Sequence, residues 1–216
     1  MAFHGRASYR DPNWNVYASY MDIQDQFNAE VGFVPRRGIR TKQVHIEYNP
    51  RPERFHIRVM EPMINITYTT DQNNRLVTRR VHHMVGFRLE DGSYVNVYYN
   101  SHLEVLDNPF AIRQDVIIPS GTYTFGEWVF QYNTDPSRWL YTKLRYSPQT
   151  FFDGFRKDTD VTLGIRATGR LSAELRFRRN DGKLPWGDFK VNLGTLRLDY
   201  SLSPQMTLRT LLQYNS

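Results

Sequence analysis

The sequence contains no cysteine and no long run of apolar residues. Without cysteine the chain forms no disulfide, no thiolate metal site and no thiol nucleophile. The mean hydropathy is −0.61, and no stretch of about 18 apolar residues indicates a transmembrane helix. A membrane-spanning strand escapes this test, because only every second residue of such a strand faces lipid.

The common catalytic signatures are missing as well. The sequence has no Gly-x-Ser-x-Gly elbow, no phosphate-binding loop and no His-Glu-x-x-His motif. The net charge of +6 raises the question of nucleic acid. The basic residues, however, alternate with apolar ones or lie in turns and form no continuous basic stripe, so we expect no nucleic-acid partner.

What the sequence does contain is an alternation of apolar and charged residues with a period of two. The clearest runs cover 161–168, 171–178, 195–202 and 206–214. Successive side chains of a strand point to opposite faces, so each run predicts a strand with one apolar face and one ionic face. A soluble half-buried sheet has the same alternation, whereas a membrane barrel needs it on nearly every strand.

Turn signals divide the chain into about a dozen strands of an antiparallel meander. The predicted strands are 2–10, 14–21, 39–48, 54–70, 75–89, 94–105, 122–133, 138–147, 159–168, 170–178, 193–202 and 206–214. Short turns alternate with long connections at 22–38, 106–121, 148–158 and 179–192, except for a short turn at 71–74 between the two longest strands. This sorting is typical of outer-membrane barrels. The sequence therefore predicts an all-β antiparallel up-and-down meander, part or all of a transmembrane β-barrel, as a single domain over 1–216.

One face of the C-terminal strands is predicted to carry charges toward a lumen. These candidates are Arg166, Glu174, Arg176, Arg178, Arg197, Asp199 and Arg209. Rings of one sign select permeant ions, so the functional interpretation is an electrostatic filter for anionic solutes. The structural interpretation is ion pairing across neighbouring strands. We favour the second, because Glu174 and Asp199 stand among the arginines.

Two His-x-Glu pairs are the only constellations that look catalytic. They are His45 with Glu47 and His102 with Glu104. The spacing places both members of a pair on one strand face, where they could form a proton relay or part of a metal site. Motifs this short occur often by chance, and the alternative is polar lining of a lumen. We therefore predict no metal, no cofactor and no enzymatic activity.

Several segments resemble one bacterial family. They are FNAEVGFVPRRGIR at 27–40, FAI at 110–112, IIPSGTY at 117–123, LPWGDF at 184–189, DYSLSP at 199–204 and LQYNS at 212–216. The family is a domain of unknown function, an outer-membrane barrel that follows an N-terminal β-sandwich similar to family-9 carbohydrate-binding modules. The resemblance implies a place in the outer membrane of a Gram-negative bacterium. It implies no known reaction.

The expected function follows from this resemblance and from the strand pattern. We expect a barrel in contact with outer-membrane lipid that binds or passes a glycan or another small solute at the cell surface. The alternative is a soluble all-β carbohydrate-binding or lipocalin-like module whose apolar face lines a core; a barrel hydrolase using the His-x-Glu pairs ranks last. Because the first and last predicted turns lie at the same rim, we also expect the barrel to need further strands at both ends.

Overall fold

The computed structural model describes residues 1–28 and 36–216. Residues 29–35 lie outside the described residues and include parts of the predicted connection 22–38 and of the segment 27–40. The described chain is all-β, with 75% of its residues in strands. Among the described residues, no helix is long and apolar enough to cross a membrane.

The described residues form fourteen strands, in close agreement with the predicted meander. The strands are β1 (Ala2–Arg10), β2 (Trp14–Ile23), β3 (Ile39–Tyr48), β4 (Ile57–Asp71), β5 (Leu76–Leu89), β6 (Tyr94–Leu106), β7 (Phe110–Arg113), β8 (Val116–Ile118), β9 (Gly121–Asn133), β10 (Leu140–Phe151), β11 (Gly154–Arg166), β12 (Leu171–Leu184), β13 (Gly187–Ser203) and β14 (Met206–Asn215). Twelve of them form one antiparallel sheet in the order β1-β2-β3-β4-β5-β6-β9-β10-β11-β12-β13-β14. The remaining two, β7 and β8, pair with each other.

Two of the predicted long loops, 148–158 and 179–192, are wrong. Both are hairpins, because β10 pairs with β11 up to Phe151 and Gly154, and β12 pairs with β13 up to Leu184 and Gly187. Pro148, a turn signal in the sequence, pairs with β11 on one side only, a position where a missing N–H is tolerated. The predicted connection 106–121 contains the β7–β8 hairpin.

The connections lie at two rims of the sheet. We call the end with the connections after β1, β3, β5, β9, β11 and β13 the short-turn rim, and the opposite end the extended rim. At the extended rim the β10–β11 and β12–β13 hairpins project beyond their predicted lengths, and the β7–β8 hairpin is inserted between β6 and β9. The positions of the strands were thus predicted correctly, but the extensions of β10 to β13 at the extended rim were not predicted.

The two faces of the sheet have inverted burial. On β9, Trp128 and Phe130 are exposed, whereas Glu127 and Gln131 of the opposite face are half-buried. On other strands the buried side chains include Asn100, which is 2% exposed. We call these the apolar face and the polar face. A single sheet without a second layer can bury polar side chains to this degree only if it curls with its polar face inside.

The apolar face carries a band of large side chains that crosses the sheet obliquely. On β4 the band contains Met60, Pro62, Ile64, Ile66 and Tyr68, and on β12 it contains Leu171, Ala173, Leu175 and Phe177. Directly opposite residues link Pro62 through Val85, Val97, Phe130, Tyr146 and Thr159 to Arg179. This row of directly opposite residues therefore lies inside the band on β4 and outside the band on β12. The band drifts toward the short-turn rim along the sheet.

The sheet has two open edges. β1 and β14 do not pair with each other among the described strands, and every residue of β14 is exposed. The expected all-β meander is therefore confirmed, and the described strands do not close into a ring.

At the extended rim the β7–β8 hairpin, which we call the cap, covers part of the polar face. Ile118 packs with Tyr123 and Phe152, and all three are buried. Val116 packs with Leu184 and Phe189 in a second small cluster. Tyr123 has the same strand parity as Glu127, so the cap lies on the polar side of the sheet.

Candidate functional site

The polar face of β5, β6, β9 and β10 carries a connected network of buried hydrogen bonds. Asn100 stands opposite His82 on one side and opposite Glu127 on the other. Its Oδ1 accepts hydrogen bonds from His82 Nδ1 at 2.7 Å and from Arg80 Nη2 at 3.1 Å. Its Nδ2 donates to Glu127 Oε2 at 2.8 Å. The Asn100 amide therefore links Arg80 and His82 on one side to the Glu127 carboxylate on the other.

The carboxylate of Glu127 is the centre of this network. Its Oε1 accepts from Ser147 Oγ at 2.6 Å and from Arg145 Nη2 at 3.0 Å. Ser147 is fully buried, with 0% of its surface exposed. A carboxylate with three donors is strongly held, and removing it would leave those donors unpaired in a buried place. We call Arg80, His82, Asn100, Glu127, Arg145 and Ser147 the Glu127 network.

A second cluster lies next to it on β11 and β12. Asp160 accepts from Arg176 Nε at 2.9 Å and from Arg178 Nε at 3.2 Å. Asp158 accepts from Gln149 Nε2 at 3.2 Å and also pairs with Arg156. A cavity of about 270 Å³ lies between these groups, lined by Arg145, Arg156, Asp158, Thr159, Asp160, Arg178 and Asn180. The polar face thus holds a cavity large enough for several water molecules, with arginine side chains at its wall.

The seven predicted lumen-facing residues share the polar face, as their registers show. Ion pairs across neighbouring strands are present, but only Asp199 with Arg209 joins two members of the predicted set. Arg176 and Arg178 pair with Asp160 of β11 rather than with Glu174 or Asp199. Asp160 has the same parity as Arg166, so the strand pattern could have identified it.

Of the two predicted acids of the ladder, Glu174 has partners outside the ladder, whereas Asp199 pairs with the ladder residue Arg209. Glu174 accepts from Tyr141 Oη at 2.9 Å and lies 3.8 Å from Lys143 Nζ. Asp199 Oδ1 lies 3.2 Å from Arg209 Nε, although the N–H does not point at that oxygen. Tyr141 reaches Glu174 across Gly164, where a Cβ would lie 2.0 Å from the Tyr141 ring.

The remaining two arginines of the ladder flank Glu174. Arg197 stands directly opposite Glu174 on β13. Arg166 lies two residues beyond Gly164, which is opposite Glu174 on β11. The ladder is therefore richer in cations than in anions at its short-turn end.

The His45 and Glu47 pair is formed, at 3.3 Å between His45 Nε2 and Glu47 Oε2. His45 is buried and stacks on Tyr17, with ring centroids 4.8 Å apart. Asn65 Nδ2 lies 3.4 Å from His45 Nδ1, and Asn15 Nδ2 donates to Glu47 Oε2 at 2.7 Å. Both ring nitrogens of His45 are engaged by neighbouring side chains, an arrangement suited to holding strands together.

His102 and Glu104 share the polar face but have separate partners. His102 stacks on Phe125 at a centroid distance of 4.9 Å. Glu104 Oε1 lies 3.7 Å from Arg36 Nη1. Across the described residues no three His, Asp or Glu side chains converge as metal ligands would. His102 and Glu104 are thus held by different neighbours, whereas His45 and Glu47 contact each other.

Sequence reasoning missed the most buried part of the site. The Glu127 network depends on the register between β6 and β9, which are separated in the chain by the cap. No local pattern gives that register. Strand parity would have placed Glu127 and Asn100 on the polar face, but it would not have made them neighbours.

Comparison with known proteins adds no relative: no protein-family model, no curated protein and no solved structure matches the chain. The resemblance to the outer-membrane barrel family therefore stays a prediction.

Proposed function

We propose that the chain is part or all of a transmembrane β-barrel of the bacterial outer membrane, whose polar interior binds or passes a small solute or glycan. The observation that carries this proposal is the pairing of an exposed apolar face with a buried polar face. Water-soluble sheets bury their apolar face. Lipid on the apolar face and a polar lumen on the other side account for the inversion.

The oblique course of the apolar band supports a membrane location. From β4 to β12 the band centre moves from near Ile64 to between Ala173 and Leu175, while the row through Pro62 reaches Arg179. Ile64 lies two residues beyond Pro62, so its row reaches β12 at Asp181, about seven residues from the band centre there. A displacement of about seven residues over six strand steps is about 23 Å along the strands against about 29 Å across them. The strands are then tilted by about 35–40° to the band, close to the tilt of outer-membrane barrels.

The height of the band agrees with this interpretation. On β4 it runs from Met60 to Tyr68, about 26 Å along the strand at about 3.3 Å per residue. At the inferred tilt, the height of the band along the membrane normal is about 20 Å. The side chains at its two ends add to this height, which brings it toward the usual apolar belt of about 25 Å.

The open edges fit a barrel that further strands complete. Unpaired strand edges do not persist in hydrocarbon, because nothing there satisfies their N–H and C=O groups. We infer that β1 and β14 pair with additional strands of the complete protein. The soluble alternative, a carbohydrate-binding or lipocalin-like module, would need Leu175, Phe177 and their neighbours in a core, whereas Leu175 is 54% exposed.

The solute class follows from the charge of the ladder. Arg166, Arg176 and Arg197 line the polar face, and the chain as a whole is cationic. We therefore propose that anionic or neutral polar solutes, including glycans, are preferred over cations. Enzymatic activity is not part of the proposal.

Reconstitution tests this proposal. The complete protein, with the strands that pair with β1 and β14, is inserted into planar bilayers and its reversal potential is measured in a salt gradient. We expect a water-filled path with a preference for anions, and a shift toward cations when Arg166, Arg176 and Arg197 are changed to Glu. Changing Arg179, on the apolar face beyond the band, to Glu is the control and should leave selectivity unchanged. The absence of conductance in every variant would contradict passage of a solute.

A further inference from the structure

The sheet is split where β9 and β10 approach the extended rim. Toward that rim, the last directly opposite residues of the two strands are Glu127 and Gln149. Beyond it, Thr150 Oγ1 accepts a hydrogen bond from Gly126 N at 2.7 Å in place of the backbone ladder. Just before the split, β10 contains Pro148, which has no N–H to donate to β9. A groove of about 720 Å³ occupies this position.

The floor of the groove is aromatic. Tyr99 and Trp128 contact each other on the apolar face, with ring centroids 5.0 Å apart. Trp128 is 49% exposed, and Phe155 across the split is 66% exposed. Tyr99 lies against Gly126, where a Cβ would stand 2.2 Å from the Tyr99 Oη. The glycine and the split together leave an open apolar surface.

The far wall of the groove is cationic. Lys157 and Lys183 line it together with Asp181. Asp181 accepts from Arg179 Nη2 at 3.0 Å, so an arginine already engages that carboxylate. The lysines thus face the groove with positive charge, which suits an anionic group.

The groove lies where the apolar band ends. Trp128 is the residue of the β9 band nearest the extended rim. Lys157 lies four residues beyond Val161 on β11, about 11 Å above the band for the tilt inferred above. A lysine side chain reaches several ångström back along an apolar surface, which brings its ammonium into the headgroup layer.

We propose that this groove binds an anionic phospholipid, whose headgroup carries the net negative charge that zwitterionic phosphatidylcholine lacks. The acyl chain lies on Tyr99 and Trp128, and the phosphate is bound by Lys157 and Lys183. Aromatic side chains at a membrane boundary favour the region between chain and headgroup. The proposal rests on the proposed function, because it requires the apolar band to be in a bilayer.

A free phosphate ion would meet only half of this groove. The lysines would attract it, but the half-buried ring of Tyr99 and the exposed rings of Trp128 and Phe155 would stay in contact with water. An amphiphile covers both parts. We therefore commit to a lipid rather than to a soluble anion.

Quenching of tryptophan fluorescence by brominated lipids tests the inference. The protein is placed in phosphatidylcholine vesicles that contain an equal minor fraction of either brominated phosphatidylcholine or brominated phosphatidylglycerol. The signal of Trp128 is the difference between the protein and its Trp128→Phe variant. We expect both lipids to quench it, and the phosphatidylglycerol to do so at several-fold lower content.

Single substitutions then assign the preference to the groove. Lys157→Gln and Lys183→Gln should each reduce the preference for phosphatidylglycerol, by about fivefold for a cation close to the headgroup. Lys42→Gln removes an exposed lysine from the apolar face of β3 and should leave the preference intact. Inorganic phosphate should not abolish it.

Each other outcome has a defined meaning. If neither lipid quenches Trp128, the band is not in a bilayer and the proposed function fails together with this inference. If both lipids quench equally, or if Lys42→Gln has the same effect as Lys157→Gln, the proposed function stands and the groove is no site for an anionic phospholipid. Loss of the preference in inorganic phosphate would assign the lysines to a soluble anion and overturn the lipid assignment.

Discussion

Leu175→Arg separates a lipid-facing band from a soluble surface. Leu175 is 54% exposed and stands between Leu163 and Leu196 in the strand register. In water, replacing a half-exposed leucine by arginine usually changes stability by less than about 0.5 kcal/mol. At the middle of a bilayer the same cation costs about 2–4 kcal/mol on the lipid face of a barrel.

The assay is reversible unfolding by denaturant in lipid vesicles, with the gel shift of heated and unheated samples as a second readout. The structure predicts a loss of about 2–4 kcal/mol for Leu175→Arg. Leu202→Arg, on the same face near the short-turn rim, is the matched control and should cost no more than about 1 kcal/mol. Equal stabilities for both variants and the parent protein would refute the assignment of the band to lipid.

The remaining predictions concern the polar face and the extended rim. Glu127→Gln points an amide donor at Asn100 Nδ2, so we expect a loss of about 1–3 kcal/mol in thermal or denaturant unfolding; an unchanged midpoint would argue against the network. Asp160→Asn should shift the reversal potential further toward anions while lowering stability by only about 1 kcal/mol, because the two arginines it neutralises are partly exposed. The hydrogen bond from Arg75 lowers the pKa of Asp107 at the extended rim. Its stabilisation is therefore complete above the usual aspartate pKa of about 3.9 and is lost as the pH falls through the lower folded value. Proteolysis of the 71–75 turn should accelerate on acidification in that range, and Asp107→Asn should reduce the pH dependence without removing it, because Asp71 also pairs with Arg75.

The sequence predicted the strands well wherever the period-two pattern was strong. β1 and β3 begin and end where they were expected, because a strand with one apolar face and one polar face shows an alternation that is visible residue by residue. The projecting ends of β12 and β13 were missed. There Asp181 pairs with Lys190, and polar residues occupy both faces, so no alternation distinguishes strand from loop.

Side-chain parity also set the limit for the site. It placed Arg176 and Arg178 on the polar face and would have placed Asp160 there as well, but parity does not give the register that sets Asp160 opposite Arg178. The cap was out of reach for another reason. Strands of four and three residues are too short for a periodic signal, and their burial depends on Phe152 and Leu184 from distant hairpins.

The central claim is that the apolar face meets lipid while the polar face meets water, and a spin-label scan of β11 tests it most directly. The chain has no native cysteine, so a single cysteine can be introduced and labelled at each position from 161 to 166. In vesicles, collisions with oxygen should peak at Val161, Leu163 and Ile165, and collisions with a water-soluble nickel complex should peak at the residues between them. Low accessibility to both reagents at Leu163 would indicate a protein core, and peaks that coincide for the two reagents would indicate a strand in water. Either result would contradict the membrane barrel.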